Sequence, residues 1–341
     1  DWQNVLLQLA QMWREKPEVA LDYAQRLTEG IHQAEKLPIL PIPAAYTLLD
    51  LKEIVLPWKQ QFDYKNGGYT RAPKFPLPNN WLFLLRYAHL AGDSDVADHV
   101  HFTLGKIADG GIYDHIGGGF SRYAVDAEWH VPHFEKMLYD NGQLLSLYSE
   151  AYQAQPHPKY QKVVAETIAW ATREMRAENG GFYAALDADS EGIEGKFYTF
   201  HKEEIESILG DDAELFNSYF EVNDYGNWVE EQTNILKTSK QATKQILEAG
   251  YTEEQWVQKL DTLKARVRAV RDKRIHPGLD HKQLTTWNAL MMKGLIDAYR
   301  VFDDASYLEL ARDTASFIQS QCFVADILLH QPVDQNRQIP G

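Results

Sequence analysis

The chain has one cysteine, no long apolar run and no basic segment. Cys322 has no partner within the sequence, which excludes an internal disulfide and a CxxC redox pair. No stretch approaches the roughly 20 apolar residues that a transmembrane helix needs. Acidic residues outnumber basic ones by 49 to 34, so nucleic acid and anionic membranes are not expected as partners. The N-terminal segment does not resemble a signal peptide, and a cytoplasmic location is expected.

The sequence does contain helical periodicity, and the helices that it predicts come in pairs. Each predicted helix pair is followed by a longer loop, which opens with Gly67-Gly68, Gly110-Gly111 or Gly180-Gly181 in three cases. One pair cannot bury its apolar face alone, so the pairs must pack on one another, in an open solenoid or a closed ring. Unequal repeat lengths favour the ring. We therefore predict an all-α fold, an incomplete (α/α)6-type toroid of helical hairpins with a minor β-hairpin in the loops. The predicted helices are 4–15, 18–36, 45–62, 77–91, 95–107, 132–153, 158–176, 252–271, 285–302 and 306–320.

Prolines suggest where the chain divides into domains. Leu37–Pro43 contains three prolines, each of which disfavours helix in the preceding residue, and is a predicted linker. Residues 1–36 are then a helical segment, and 44–341 are the toroid domain. Because Leu328–Gly341 resembles the start of another loop, that domain is expected to lack its C-terminal repeats. Helix faces left exposed by missing repeats could support a dimer.

Most of the chemically active side chains lie between residues 110 and 148. A helix predicted from residue 132 would carry Glu135 in its first turns and would place His133, Lys136 and Asp140 on one face, pointing at a cavity or at partners. Histidine titrates near neutrality, so His133 is a candidate acid or base, with Glu135 as its partner. The alternative is a network of caps and ion pairs that locks the loop to the helix, and Lys136–Asp140 suits such an i,i+4 pair.

A second group of carboxylates follows Leu186. Asp187, Asp189 and Glu191 alternate along the chain, which suits either acid–base catalysis or the binding of sugar hydroxyls. A calcium loop would need a glutamate at its twelfth position, where Tyr198 stands, and a hydrogen-bonded turn with solvated charges is the other alternative. We assign Asp187 and Asp189 as catalytic candidates and Glu191 as a binding candidate.

The remaining candidates are weaker. His115, His130 and His133 lack a complete ligand set for zinc, and Gly117–Gly119 matches no phosphate-binding motif, so a turn is predicted there. No metal or cofactor is therefore predicted. Charged and aromatic loop residues suit contact with a sugar ring. Together with Asp140 and Glu191, these predicted substrate-binding residues are Lys74, Arg122, Tyr123, Trp129, Asp280 and Trp287.

Three segments resemble a known family. They are GGIYDHIGGGFSRYAVDAEWHVPHFEKMLYDN at 110–141, GGFYAALDADSEGIEGKFYTF at 180–200 and KQLTTWNALM at 282–291. They are similar to the thioredoxin-domain-containing spermatogenesis-associated protein 20 family. The resemblance implies a thioredoxin-like domain followed by an (α/α)6 toroid similar to N-acylglucosamine 2-epimerases and six-hairpin glycosidases. On this resemblance we expect this sequence to contain neither the thioredoxin-like domain nor the C-terminal repeats, so we do not extend redox chemistry to it.

Two hypotheses follow. In the first, the chain is an enzyme that epimerises, isomerises or hydrolyses a carbohydrate or similar polyol by His and carboxylate acid–base catalysis. In the second, it is a non-catalytic binding or scaffold module that accompanies a thioredoxin-like domain. The first predicts a small sugar-like ligand. The second predicts that the same residues only lock loops together.

Overall fold

The computed structural model describes residues 2–36, 47–248 and 250–332. The chain divides into two compact units after Leu51. The predicted linker at 37–43 lies outside the described residues, so the predicted domain boundaries stay a prediction. The helices are α1 Trp2–Glu15, α2 Pro17–Glu35, α3 Leu48–Lys59, α4 Pro78–Ala91, α5 Ser94–Asp109, α6 Leu138–Ala154, α7 Pro158–Trp170, α8 Lys202–Leu209, α9 Ala213–Tyr219, α10 Lys240–Glu248, α11 Glu253–Arg271, α12 Thr285–Phe302 and α13 Ala305–Gln321.

The first unit contains the helix pair α1 and α2, which pack against each other as predicted. Pro17 begins α2, a position where its missing N–H costs no hydrogen bond. Both helices keep large apolar side chains exposed, among them Trp2 and Trp13.

Three hairpins organise the second unit: α4 with α5, α6 with α7, and α12 with α13. The first helices of these hairpins also pack side by side, α4 on α6 and α6 on α12. Glycine permits the closest of these approaches. A Cβ on Gly142 would lie 2.8 Å from the Met291 Cα, and one on Gly294 would lie 2.4 Å from the Gly142 carbonyl oxygen. The backbones of α6 and α12 are therefore in direct contact.

The loops that follow α5 and α7 are attached to α6 and α12 in the same way. The Asn141 side chain accepts from the Phe120 amide at 2.7 Å and donates to the Phe120 carbonyl at 3.0 Å. Asn288 makes the same pair of hydrogen bonds with Phe182, also at 2.7 and 3.0 Å. Each asparagine is the fourth residue of its helix. This repeated attachment is the structural form of the helix–loop repeat predicted from sequence.

The segment between the second and third hairpins contains three helices that the sequence pattern did not predict, α8, α9 and α10. Strands had been predicted at 197–200 and 235–236, but the structure forms one isolated bridge, Phe200 to Asn234. The unpredicted helices are short, and they gain stability by packing with α11 around Phe216, Trp256 and Leu263.

Short antiparallel strands lie in the long loops. The strands are β1 Tyr123–Ala124, β2 Pro132–His133, β3 Lys136–Met137, β4 Ala185–Leu186, β5 Asp189–Ser190, β6 Ile193–Glu194, β7 Leu279–Asp280, β8 Phe323–Val324 and β9 Ile327–Leu328. β1 pairs with β2, β5 with β6 and β8 with β9, and β4 lies between β3 and β7 in a three-stranded sheet.

One helix prediction was wrong in its first turns. The helix expected over 132–153 begins only at Leu138, because 132–133 and 136–137 are strands. Burial alternates between neighbours along 132–136, which is the period of a strand rather than of a helix. His133, Lys136 and Asp140 therefore do not share a helix face, and Lys136 does not pair with Asp140.

The predicted all-α class is confirmed, because the described residues form helical hairpins with short strands in their loops, and the arrangement of these hairpins as a toroid stays a prediction. No helix in the described parts of the chain is long and apolar enough to span a membrane.

Candidate functional site

The three-stranded sheet β3–β4–β7 separates two groups of charged residues. Lys136 pairs with Leu186, and Ala185 pairs with Asp280. Because directly opposed residues point to the same side and neighbours alternate, Lys136 points to one side of the sheet. Glu135, Asp187 and Asp280 share the other side. We call this the carboxylate face, defined by those three residues.

Arg122 and two aromatic rings border the carboxylate face. The Arg122 Nη1 lies 3.3 Å from Glu135 Oε2, and the Arg122 amide donates to the Glu135 carbonyl oxygen at 2.8 Å. The Tyr139 ring lies 4.8 Å from the Trp287 ring, which links the first turns of α6 and α12. Arg122 also interacts with Tyr139. A positive charge and aromatic rings thus lie together at the border of the carboxylate face.

His133 lies beside this group, in β2. Its Nδ1 is 2.7 Å from Glu194 Oε1, and its Nε2 is 3.7 Å from Glu135 Oε2. Its ring stacks on Tyr123 at 5.1 Å. Glu194 pairs in register with Asp189 across β5 and β6, so these two carboxylates share a side of their hairpin. Of the four residues predicted to be catalytic, His133 and Glu135 are therefore neighbours, Asp187 shares the carboxylate face with Glu135, and Asp189 is linked to His133 through Glu194.

Asp140 lies in the first turn of α6, close to the same group. It is 8% exposed, and its Oδ2 is buried with no hydrogen-bond partner among the described residues. Burial raises the pKa of Asp140 to about 7; Arg122 opposes the shift, Glu135 adds to it, and a hydrogen bond with Tyr139 opposes it. Asp140 can therefore exchange a proton near neutral pH.

The opposite side of the sheet is a buried ion cluster. The Lys136 Nζ and the Arg271 Nη1 each lie 2.8 Å from an oxygen of Asp114, and Lys136 also donates to the Gly118 carbonyl oxygen. Burial alone would raise the pKa of Asp114, but Arg271 and Lys136 hold it well below its usual range. Lys136 and Arg271 are 0% and 1% exposed. We call Asp114, Lys136 and Arg271 the buried cluster.

Three predicted binding residues do not reach the carboxylate face. Lys74 is 3% exposed and pairs with Asp63 at 2.7 Å. Trp129 is 1% exposed and donates to the Asn66 carbonyl oxygen at 2.9 Å. Neither has the open surface that ligand contact requires, so both hold the loop and we leave them out of the proposed site. Glu191 is exposed in the β5–β6 turn, where it pairs with Lys196 at 2.7 Å.

The other features considered from sequence are packed into the protein. His115 is buried with its Nε2 3.1 Å from the Gly110 carbonyl oxygen, and burial lowers its pKa to about 3. His130 contacts Asn227 at 3.1 Å. Gly118 forms part of a turn pressed against α7, where an added Cβ would lie 2.2 Å from the Glu166 carbonyl oxygen. Within the described ranges, no group of three His, Cys, Asp or Glu side chains is placed to hold a metal ion.

A separate cavity of 680 Å³ lies between α5, the start of α7 and the 221–241 segment. None of the predicted site residues lines it. Two of its lysines already pair with carboxylates, Lys159 with Asp109 at 2.5 Å and Lys237 with Glu221 at 3.3 Å. Because these lysines are already paired, we place the candidate site at the carboxylate face, where the predicted residues lie.

Sequence reasoning missed several residues. Tyr139 directly precedes Asp140 in the predicted motif, so its position in the sequence could have identified it as a site residue. Glu194 and the buried-cluster residues Asp114 and Arg271 gave none, because their partners lie 61, 22 and 157 residues away in the chain.

Comparison with known proteins gives related sequences. Spermatogenesis-associated protein 20 is a homologue of this chain. The Homo sapiens protein is 29% identical over 354 residues, covering 94% of this chain and 45% of its own. An uncharacterized Caenorhabditis elegans protein is 36% identical over 295 residues, covering 76% of this chain and 39% of its own. The chain thus spans less than half the length of these curated relatives. No protein-family model matches the chain.

Solved structures to which the chain is similar include sugar-processing proteins. A sugar epimerase from a ruminal bacterium has a TM-score of 0.36 and 14% identity, covering 87% of this chain and 94% of its own. A D-mannose isomerase has a TM-score of 0.37 and 10% identity, covering 87% and 92%. A family 76 mannosidase from Bacteroides thetaiotaomicron has a TM-score of 0.40 and 9% identity, covering 76% and 46%.

Proposed function

We propose that this chain acts on a carbohydrate or similar polyol at the carboxylate face, by acid–base chemistry without a cofactor. The reaction is an epimerisation, an isomerisation or a glycoside hydrolysis. One observation carries the proposal. Three carboxylates, an arginine, a histidine and two aromatic rings meet at one side of a small sheet whose other side is sealed by buried ions.

The surroundings of each residue suit it to a different role in the proposed reaction. His133 and Glu135 lie close enough to exchange a proton with a shared substrate, as acid and base. Asp187 and Asp189 accept hydrogen bonds from sugar hydroxyls or supply the second carboxylate. Gly278 keeps the space beside Asp187 open, since a side chain there would begin 3.8 Å from the Asp187 Oδ2.

Aromatic and basic groups complete the proposed contacts. Tyr123 and Trp287 offer apolar ring surface to the faces of a sugar ring. Arg122 would donate hydrogen bonds to hydroxyl oxygens, and Asp280 would accept them from hydroxyl groups. Glu191, at the tip of the β5–β6 turn, is a contact only for a ligand that extends beyond the face.

The test is direct binding. A panel of monosaccharides and disaccharides is titrated calorimetrically against wild type, His133→Ala and Glu135→Gln. We expect at least one sugar to bind wild type and to bind each variant at least tenfold more weakly. Glu204→Gln is the matched control, because Glu204 also pairs with an arginine, Arg274, and has similar side-chain exposure. Absence of sugar binding to the wild-type protein would reject the proposal.

One set of contacts favours the second candidate, a binding or scaffold module. Arg122–Glu135 and His133–Glu194 are ion pairs that also tie loops together. In that case Glu135→Gln lowers the melting temperature by several degrees and changes no sugar affinity. The same variant thus separates the two functions, since the first predicts weaker sugar binding with little change in stability.

A further inference from the structure

Asp140 differs from the other carboxylates near the carboxylate face in having a buried oxygen with no hydrogen-bond partner among the described residues. Glu135 is paired with Arg122, Glu194 with His133 and Asp280 with Lys282. The Asp140 Oδ2 is buried, and no described residue bonds it. A buried carboxylate oxygen without a donor is costly when ionised, so the site favours a carboxylic acid.

The charges around Asp140 are few. Arg122, Glu135 and Tyr139 are the groups that act on it. α12 and α4, which pack against α6, add no others at this level, because residues 285–291 and 78–85 contain no titratable side chain. α7 also packs against α6, but its titratable side chains are not among the groups that act on Asp140; they are Lys159, Tyr160, Lys162 and Glu166. Asp140 therefore has one cation nearby, and that cation already pairs with Glu135.

We infer that Asp140 is the proton donor of the site and that Glu135 is the base it works with. The inference rests on the proposed function. It assigns to Asp140 a catalytic role instead of the binding role predicted from sequence, and it leaves His133, held by Glu194 and Tyr123, as the residue that orients Glu135.

The chemistry balances with water or substrate alone. Asp140 gives its proton to the substrate oxygen that gains an electron pair, either the leaving glycosidic oxygen or a carbonyl oxygen. Glu135 takes a proton from the attacking water or from the carbon next to the carbonyl. Asp140 is left as a carboxylate, which Arg122 stabilises, until it recovers a proton from solvent or product. Two carboxyl groups kept in different protonation states by their surroundings are the usual requirement for such a pair.

The first measurement needs no substrate. Carbon-13 NMR of aspartate carboxyls in the full chain follows the resonance that disappears in Asp140→Asn. We expect it to titrate with a midpoint near pH 7. A midpoint below pH 5 overturns the inference, whatever the sugars do.

The second measurement uses the sugar panel in D₂O, with NMR detection of deuterium incorporation, isomers and hydrolysis products. We expect Asp140→Asn to bind sugar within threefold of wild type and to form product at least 100-fold more slowly, in the range that general acid catalysis contributes. Asp297→Asn, which alters an aspartate of similar burial on α12, should change neither.

The outcomes separate the two proposals. If Asp140→Asn turns over sugar as fast as wild type, the inference fails and the proposed function stands. If wild type neither binds nor converts any sugar, the proposed function fails and so does the catalytic role, even with a midpoint near pH 7. If Asp140→Asn does not fold, as judged by circular dichroism, Asp140→Ser takes its place.

Discussion

The two sides of the β3–β4–β7 sheet are built from adjacent residues and have opposite character. Lys136 is fully buried and shares Asp114 with Arg271, whereas Glu135 stands on the other side with a single, partly exposed arginine partner. The buried side is held by two ion pairs to Asp114, in which all three side chains are nearly inaccessible to solvent. The open side holds groups that can change partner. Structural and chemical roles thus alternate along one strand, and the predictions below test that division.

The largest effect is expected on the buried side. Asp114→Ala leaves Lys136 and Arg271 buried without their anion, and we expect a loss of about 3–5 kcal/mol in the free energy of unfolding. Urea denaturation measures it. Asp313→Ala, which breaks a surface pair with Arg176, should cost less than about 1 kcal/mol. Equal losses in the two variants would contradict the distinction between the sides.

Asp140 gives a pH-dependent effect. Its pKa is about 7 in the folded protein, above the usual aspartate pKa of 3.8, so the neutral form stabilises the fold below pH 4 and that stability is lost as pH rises through 7. Asp140→Asn should match wild type at pH 4 and exceed its stability above pH 8, on the order of a few kcal/mol at about 1.4 kcal/mol per pKa unit. Thermal unfolding across pH checks this, and a constant difference at every pH contradicts it.

The glycine turn beside the buried cluster is expected to have a smaller effect. Gly118 has φ of 82°, and an added Cβ would lie 2.2 Å from the Glu166 carbonyl oxygen. Gly192 has φ of 74° with nothing within 4 Å. Gly118→Ala should therefore lose about 1–3 kcal/mol more than Gly192→Ala, since both suffer backbone strain but only Gly118→Ala is overpacked. Chemical denaturation of both variants decides it; similar losses would show that the turn can move away from α7.

The smallest change in stability is expected on the carboxylate face. Glu135→Gln removes one partly exposed ion pair, so we expect a change below about 1 kcal/mol. Calorimetric unfolding of the variant beside Glu204→Gln measures it. A loss as large as that of Asp114→Ala would mean that the two sides are one structural network, and would favour the scaffold function.

Much of the fold could be predicted because helices depend on neighbouring residues. The predicted helix pairs at 77–107 and 285–320 match α4–α5 and α12–α13 closely, since apolar spacing and turns at Gly92 and Asp303 are local signals. The short helices α8 to α10 could not be predicted from the sequence, because tertiary packing, rather than length or periodicity, stabilises them.

The candidate site could be predicted only in part. The clustering of Glu135 and His133 followed from their nearness in sequence. The burial of Lys74 and Trp129 could not be predicted, because a lysine or a tryptophan in a loop gives the same sequence pattern whether it faces solvent or an interior partner. The placement of Asp187 and Asp280 beside Glu135 depends on strand pairs that join residues 50 and about 95 positions apart, as in Lys136 with Leu186 and Ala185 with Asp280.

By itself the sequence determined the helical pairs, the acidic charge and the segment in which the ionisable groups concentrate, because these depend on composition and on contacts within a few residues. Tertiary structure decided which of those groups are buried. Residues 132–133 and 136–137 became strands because they pair with 123–124 and 185–186. The resulting two-residue period turned Lys136 inward to Asp114 and Glu135 outward to Arg122.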